Sequence, residues 1–354
     1  MLCQAKFVCA FHIKRKDRAR SSVKHHRMKL TPLSLILTAV LALGTLATAA
    51  DYVVYEGKDG PGKGKHIVLM SGDEEYRSEE AMPMLGKLLA ERFGFTCTVL
   101  FSVDKDGNID PINGASLTHP EALDNADAIV MSLRFRHYPD DVRKHVTDAI
   151  ARGIPIVGLR TSTHAFNDKE LGKFGKNVLG ESWVSHWGSH KKEATRGIIE
   201  AANKNNPVLR GVDDIFVTSD VYEAYPPADA TILVRGQVLK GMTPTDEPAD
   251  YKKKGGKEKI EQGVNDPMMP IAWTREIKTE SGKVQRTLCT TMGAASDLPN
   301  EGLRRMVING VLWGLGLDVP AKTNVEIVGE YSPSMYGFGG FKKGTKPANY
   351  ELKK

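Results

Sequence analysis

The chain has 354 residues and a formal net charge of +6, and the excess of positive over negative charge comes from the first fifty residues. Residues 1–50 carry nine Lys or Arg and one Asp, so the rest of the chain carries a net charge of −2. This balance gives no support for nucleic-acid binding, and we expect no nucleic-acid partner.

The N-terminal residues have the three parts of a secretory signal peptide. Met28 and Lys29 precede a nearly uncharged stretch over 30–46, and small residues follow at 47–50. The apolar stretch is short for a membrane span and no basic stop follows it. We therefore predict a signal peptide at 28–50, a secreted or periplasmic protein, and no stable membrane span after cleavage. Residues 1–27 fit poorly before such a signal. We therefore interpret them as an upstream extension and predict that the true start of the protein is Met28.

Strand and helix patterns alternate regularly between residues 66 and 159. Short apolar runs typical of buried strands lie at 66–71, 95–101, 128–133 and 154–159. Helical spacing of apolar residues follows the first run, with Ser78 as the expected N-cap and Gly94 as the stop, and again after Pro139. This order predicts an α/β fold with a mostly parallel central sheet and helices on both faces.

The pattern loosens after residue 165. Strands are expected at 214–218 and 231–238, a hairpin at 268–291 that turns through 280–283, and a helix at 303–315. The Lys-rich stretch at 244–263 is typical of a solvated loop. We therefore predict an N-terminal segment at 51–64, one α/β domain at 65–320, and an extended tail rich in Gly, Tyr and Lys at 321–354.

Two cysteines lie outside the leader, Cys97 and Cys289, each within a strand-like run. Such residues are more often buried apolar fillers than a disulfide, and no CxxC pair is present. Neither lies where a strand opens into a helix. The sequence therefore disfavours both a thiol nucleophile and a cysteine-based zinc site.

Polar side chains follow the first strand. Asp73, Glu74 and Glu75 precede Tyr76 and Arg77. A carboxylate at a strand end could act as a general base or bind sugar hydroxyls. The alternative is that these acids complement the helix dipole and pair with Arg77. We expect Glu75 to be catalytic and the other acids and Tyr76 to bind substrate.

The third strand ends in a second polar group, Arg134, Arg136 and His137. Arginines at such an edge can bind a carboxylate or phosphate through two N–H groups. A structural pair with Asp73, Glu74 or Glu75 is an equal alternative. Both interpretations place the group in the same cleft.

The fourth strand opens onto the densest polar cluster of the chain, Arg160 to His164. Open α/β sheets bind ligands at the carboxyl ends of their strands. We predict that Arg160, Thr161 and Ser162 hold an anionic or carbonyl oxygen and that His164 is a general acid or base. Hydroxyl caps and a hydrogen-bonded structural histidine are the alternative.

His186 and His190 are four residues apart, around Trp187. On a helix the two rings would share a face and could bind a metal, but Gly188 weakens that helix and the Glu of HExxH is missing. We favour a substrate contact, in which Trp183 or Trp187 stacks on a sugar ring. Accordingly, we predict no cofactor and assign no metal ligand.

Several segments together resemble the ThuA-like (trehalose-utilisation) family. They are HIVLMSGDEEYRSEEAMPML at 66–85, GIPIVGLRTSTHAF at 153–166, VLGESWVSHWGSH at 178–190, and PIAWTREIK with the closing RRMVINGVLWGLG helix. The resemblance implies the class I glutamine amidotransferase fold, which is a flavodoxin-like three-layer sandwich. In amidotransferases a nucleophilic Cys follows the strand that corresponds to 154–159. Arg160 stands there in this chain, so glutaminase chemistry is not implied.

The resemblance also implies carbohydrate metabolism, with oxidised disaccharides as a substrate class. Our first hypothesis is an enzyme that cleaves a carbohydrate derivative by hydrolysis or elimination, without a cysteine nucleophile. The second is a non-catalytic sugar-binding module. The third is a divalent-metal hydrolase that uses His164, His186, His190 and Asp73. The expected partner is a small-molecule carbohydrate, and a homo-oligomer is left open.

Overall fold

The computed structural model describes residues 50–279 and 282–352. The predicted upstream extension and all but the last residue of the predicted signal peptide lie outside these ranges, as does part of the turn at 280–283. Across the residues it describes, no helix has the length and apolar character needed to cross a membrane.

The described residues form one large sheet of ten strands, and half of it is parallel. The parallel strands are β2 (His66–Gly72), β3 (Thr96–Leu100), β4 (Ala128–Leu133), β5 (Ile156–Leu159) and β14 (Val284–Thr290). They lie in the order β3-β2-β4-β5-β14, and each neighbouring pair is parallel. This is the 2-1-3-4-5 order of flavodoxin-like sheets. The structure confirms the predicted α/β fold.

The rest of the sheet is antiparallel and comes mainly from the segment between β5 and β14. Its strands are β1 (Val53–Tyr55), β7 (Thr195–Ile199), β8 (Ile215–Val217), β10 (Thr231–Val238) and β13 (Met269–Lys278). The order β14-β13-β10-β7-β8 continues the parallel block, and β1 closes the opposite edge beside β3. The sheet is therefore mixed, with a parallel half that sets the ligand edge.

Helices cover both faces of the parallel strands. Helices α1 (Ser78–Phe93) and α3 (Glu301–Gly314) pack in one apolar core with Ile67 and Leu69 of β2. Helix α2 (Asp140–Ala151) packs in a second core on the other face, with Val68 and Met70. Alternate residues of one strand thus point into two cores, which is why β2 is apolar throughout.

Helix α1 begins at the predicted residue but is not capped by it. Arg77 occupies the N-cap position with a left-handed φ of 57°, and no side chain caps the helix. The Ser78 hydroxyl instead accepts hydrogen bonds from the main-chain N–H groups of Gly72 (3.1 Å) and Asp73 (3.0 Å). Ser78 therefore shapes the loop after β2 rather than the helix end.

Two short ribbons lie outside the main sheet. One pairs β6 (Ser185–His186) with β9 (Tyr222–Glu223), and the other pairs β11 (Lys252–Lys254) with β12 (Glu261–Gly263). The stretch at 244–263, predicted as a solvated loop, thus contains paired strands. The Lys253 ammonium donates to the main-chain oxygens of His186 and Trp187, both at 2.8 Å. This part of the chain therefore holds β6 in place.

Candidate functional site

The polar loops predicted from the sequence meet at the carboxyl ends of β2, β4 and β5. Each loop contains one non-glycine residue in the left-handed backbone region, namely Arg77 (φ 57°), Phe135 (φ 48°) and Arg160 (φ 46°). Such conformations are uncommon for these residue types and cluster at functional sites. Three of the six such residues in the described part of the chain thus lie at the edge that the strand order identifies as the ligand edge. We call the region between these three loops and the His186–His190 segment the cleft.

Asp73 organises the loop after β2. Its Oδ1 accepts hydrogen bonds from the main-chain N–H groups of Glu75 (2.7 Å) and Tyr76 (2.9 Å), and its Oδ2 accepts one from the Thr161 hydroxyl. Asp73 and Thr161 are fully buried. Both were predicted to bind substrate, but their polar atoms are used within the protein and tie the loops after β2 and β5 together.

Glu74 is paired with the two arginines that follow β4. It forms ion pairs with Arg134 and, at 3.1 Å, with Arg136. Arg136 is buried and also donates to the main-chain oxygens of Arg134 (2.6 Å) and Pro111 (3.0 Å). His137 is exposed, and its ring lies against Gly114, where a Cβ would come within 2.5 Å of it. Arg134 and Arg136 thus form the structural pair with Glu74 that was the alternative, and His137 pairs with none of the three acids among the described residues.

Arg160 is an internal residue rather than an anion-binding one. Its terminal nitrogens donate to the main-chain oxygens of Asp220 (2.7 Å) and Thr291 (2.6 Å), to Asp220 Oδ1 (2.8 Å) and to the Tyr76 hydroxyl (3.0 Å). The guanidinium lies 3.7 Å from the Tyr222 ring centroid. Because Arg160 and Tyr76 are fully buried, both form the floor beneath the cleft. Ser162 likewise donates inward, to the main-chain oxygen of Met131 (3.0 Å).

Asp220, which the sequence analysis did not single out, is the centre of this arrangement. His186 Nδ1 donates to its Oδ2 (2.7 Å), and His190 Nδ1 donates to its Oδ1 (3.0 Å). Burial would raise the pKa of Asp220, but the Arg160 charge and the two histidine hydrogen bonds outweigh it and lower the pKa below its usual range. Asp220 is therefore an anion that fixes both imidazoles.

The two histidines differ in what lies at their other ring nitrogen. His190 Nε2 lies 3.0 Å from Glu75 Oε1, so a carboxylate faces each side of that ring. His186 Nε2 has no hydrogen-bond partner in the part of the chain that the structure describes. Because a carboxylate can only accept, His186 carries a proton on Nδ1, and its Nε2 lone pair is free in the neutral ring.

His164 lies in the cleft as a neutral ring. Burial and the nearby charges of Arg134 and Arg160 lower its pKa to about 3. Its ring contacts those of Phe135 and Trp183, with both pairs of centroids 5.0 Å apart. The protonated form needed for the predicted general-acid role is thus disfavoured at neutral pH, whereas a neutral imidazole suits hydrogen bonds to an uncharged ligand.

Aromatic and histidine rings form a continuous wall around the cleft. Trp183 contacts His186 (4.9 Å between centroids), His186 contacts His190 (4.6 Å), and His190 contacts Tyr336 (5.6 Å). Trp187 is not part of this wall, because it is fully buried and its Nε1 donates to the main-chain oxygen of Val264 (2.7 Å). Of the two tryptophans considered from the sequence, Trp183 is the one at the cleft.

A metal ion could be held by His186, His190 and Asp220. Among the described residues these three form a cluster whose potential ligand atoms all lie within 4.8 Å of one another. The Arg160 guanidinium, however, already neutralises Asp220, and both Nδ1 atoms donate to its carboxylate. A cation here would have to displace these hydrogen bonds next to a buried positive charge.

A protein-family profile described as ThuA, trehalose utilisation, matches residues 66–314. The chain belongs to the ThuA family. This match covers β2 to α3 and includes every side chain of the cleft named above except Tyr336. No protein with a curated description matches the chain significantly.

Solved structures similar to this ThuA-family chain include two putative ThuA-like proteins. The protein from Bacteroides uniformis is 14% identical, with a TM-score of 0.45 over 72% of this chain and 92% of its own. The protein from Parabacteroides merdae is also 14% identical, with a TM-score of 0.48 over 73% of this chain and 92% of its own.

Proposed function

We propose that this chain cleaves the glycosidic bond of an oxidised carbohydrate by base-initiated elimination, with His186 as the base. The observation that carries the proposal is the Asp220–His186 pair, which leaves His186 Nε2 free at the ligand edge of the sheet. Family membership supports a carbohydrate substrate. If the predicted signal peptide is processed, the activity lies outside the cytoplasm.

The carboxylates of the cleft are already hydrogen-bonded or ion-paired within the protein, which favours elimination over ordinary glycoside hydrolysis. Most glycosidases need two carboxyl groups that act directly on the scissile bond. Here Asp73 is bonded to main-chain N–H groups, Glu74 to two arginines, and Asp220 to Arg160 and two histidines. Glu75 is bonded to His190. No free carboxylate pair remains among the described residues of the cleft.

An elimination from a keto-sugar needs one base and one proton donor. A ketone at C3 of the sugar acidifies the proton on C2, which His186 Nε2 removes. The C2–H electron pair forms the C1=C2 double bond, and the bond between C1 and the glycosidic oxygen breaks. The departing oxygen takes a proton from the His190–Glu75 pair, whose shared proton lies across a 3.0 Å hydrogen bond. General acid and base groups of this kind contribute about 10² to 10⁴ in rate each.

The walls of the cleft suit an uncharged sugar. Trp183 offers a flat apolar surface for one face of a pyranose ring, and it is partly exposed. His164, neutral because its pKa is lowered to about 3, can hydrogen-bond a hydroxyl or the ketone oxygen. This assignment gives His164 a substrate-binding role in place of the general-acid role expected from the sequence.

A product assay tests the proposal against both alternatives. The protein is incubated with trehalose and with 3-ketotrehalose, with and without a chelator, and followed by thermal shift and by product formation. We expect cleavage of the keto form alone, unaffected by the chelator. Binding without product would support the sugar-binding module, and loss of turnover on chelation with recovery on added zinc would support the metal hydrolase.

A further inference from the structure

The C-terminal segment at 334–338, which lies beyond the family match, crosses the edge of the cleft. Gly337 donates its N–H to the main-chain oxygen of Glu75 (2.8 Å), and its own oxygen accepts from Arg77. The main-chain N–H of Ser334 donates to Glu80 (2.7 Å). The segment is thus fixed to the loop after β2 and to the start of α1 on both sides of Tyr336.

Within this segment Tyr336 and Phe338 have opposite environments. Tyr336 is 3% exposed, packs on Tyr76 (5.1 Å between centroids), and donates its hydroxyl proton to the main-chain oxygen of Thr218 (3.0 Å). Phe338 is 61% exposed although the residue before it is anchored by two main-chain hydrogen bonds. One exposed ring is ordinary, but a contiguous group of exposed rings is typical of a ligand-binding groove.

Phe338 has a less exposed counterpart on the loop after β4. Phe135 is 37% exposed and takes its left-handed backbone conformation (φ 48°) at this point. The Arg134 guanidinium lies over both rings, 4.7 Å from the Phe135 centroid and 5.0 Å from the Phe338 centroid. Phe135 also contacts His164, so these two open rings continue the wall that begins at Trp183.

We propose that Phe338, Arg134 and Phe135 form a second sugar subsite, which binds the distal ring of a disaccharide whose reacting ring lies near His186. This inference rests on the proposed function and assigns residues to the second ring of its disaccharide substrate. The apolar C–H faces of a pyranose pack on the phenyl rings, and Arg134 donates to its hydroxyls.

Affinities for one-ring and two-ring probes test the subsite. Trehalose and glucose are titrated calorimetrically into the full chain, its Phe338→Ala variant, and a Met335→Ala control. Met335 is 50% exposed on the same segment and carries no ring that could stack on a sugar. Neither probe carries a ketone, so neither is cleaved by the proposed mechanism.

We expect Phe338→Ala to weaken trehalose binding about tenfold, as aromatic contacts of this size typically do, and to leave glucose binding within about twofold. Phe135→Ala should act in the same way, and Met335→Ala should change neither affinity. Unchanged trehalose binding in Phe338→Ala, or an equal loss for both probes, would overturn the subsite alone. If the unaltered protein binds neither trehalose nor 3-ketotrehalose, the proposed function fails and the subsite fails with it.

Discussion

Asp220→Asn will destabilise the protein by about 3–5 kcal/mol at pH 7 and abolish turnover, because it leaves the buried Arg160 without its counter-ion. Removing one partner of a buried ion pair has a cost of this size since the other charge stays in a medium that cannot solvate it. Both members of the pair are fully buried, with a nitrogen–oxygen distance of 2.8 Å. Urea unfolding at pH 7 measures the loss directly.

The pH dependence of the same variant has a definite sign. The pKa of Asp220 is lowered in the folded protein, so its contribution is fully present above the usual carboxyl pKa. That contribution is lost as the pH falls through the lower, folded value. The stability gap between the unaltered protein and Asp220→Asn must therefore narrow on acidification below about pH 4, where the unfolded aspartate becomes protonated.

Asp229→Asn provides the matched control. Asp229 accepts two hydrogen bonds from Arg275, at 3.0 and 2.8 Å, but its side chain is 54% exposed. Exposed pairs contribute about 0–1 kcal/mol. If Asp220→Asn lowers the free energy of unfolding no more than Asp229→Asn does, Asp220 is not the buried counter-ion of Arg160 that we describe.

His186→Asn will lower kcat on 3-ketotrehalose by about 10² to 10⁴, the range for loss of a general base, while ligand affinity stays within a few-fold. The asparagine amide can still donate to Asp220 from the position of Nδ1, but it lacks the free Nε2. The free energy of unfolding should change by less than about 1 kcal/mol, as is usual for partly exposed sites. Steady-state kinetics and urea unfolding check the two parts separately.

His145→Asn is the control for this substitution. His145 also donates from Nδ1 to a carboxylate, Asp124, at 2.7 Å, but it lies on the outer surface of α2. It should keep full activity. Equal losses in the two variants, or unchanged kcat in His186→Asn, would remove His186 from the mechanism.

The parallel half of the fold could be predicted because its signals are local. Apolar runs such as 128–133 are buried on both faces of the sheet. They alternate along the chain with helical segments, and few topologies are compatible with that order. The same logic placed Asp73, Arg134 and Arg160 at one edge of the sheet. The structure brings these three loops together there.

The roles of individual side chains could not be predicted, because they depend on contacts between distant segments. Asp220 lies in a loop after β8 with no motif around it, and only the pairing of β6 with β9 brings it beside His186. Arg160 follows a strand as a ligand-binding arginine would, but its partners are the Asp220 carboxylate and the main-chain oxygens of Asp220 and Thr291. A lone strand-end arginine does not reveal which of these roles it takes.

The central claim is that Asp220 holds the proton of His186 on Nδ1 and leaves Nε2 free toward the cleft, and nitrogen-15 NMR of the histidine rings tests it most directly. In the neutral ring of His186 we predict the Nδ1–H tautomer, with an unprotonated Nε2 that becomes perturbed when 3-ketotrehalose is added. An Nε2–H tautomer of His186, or ring nitrogen signals that do not change when 3-ketotrehalose is added, would contradict the account.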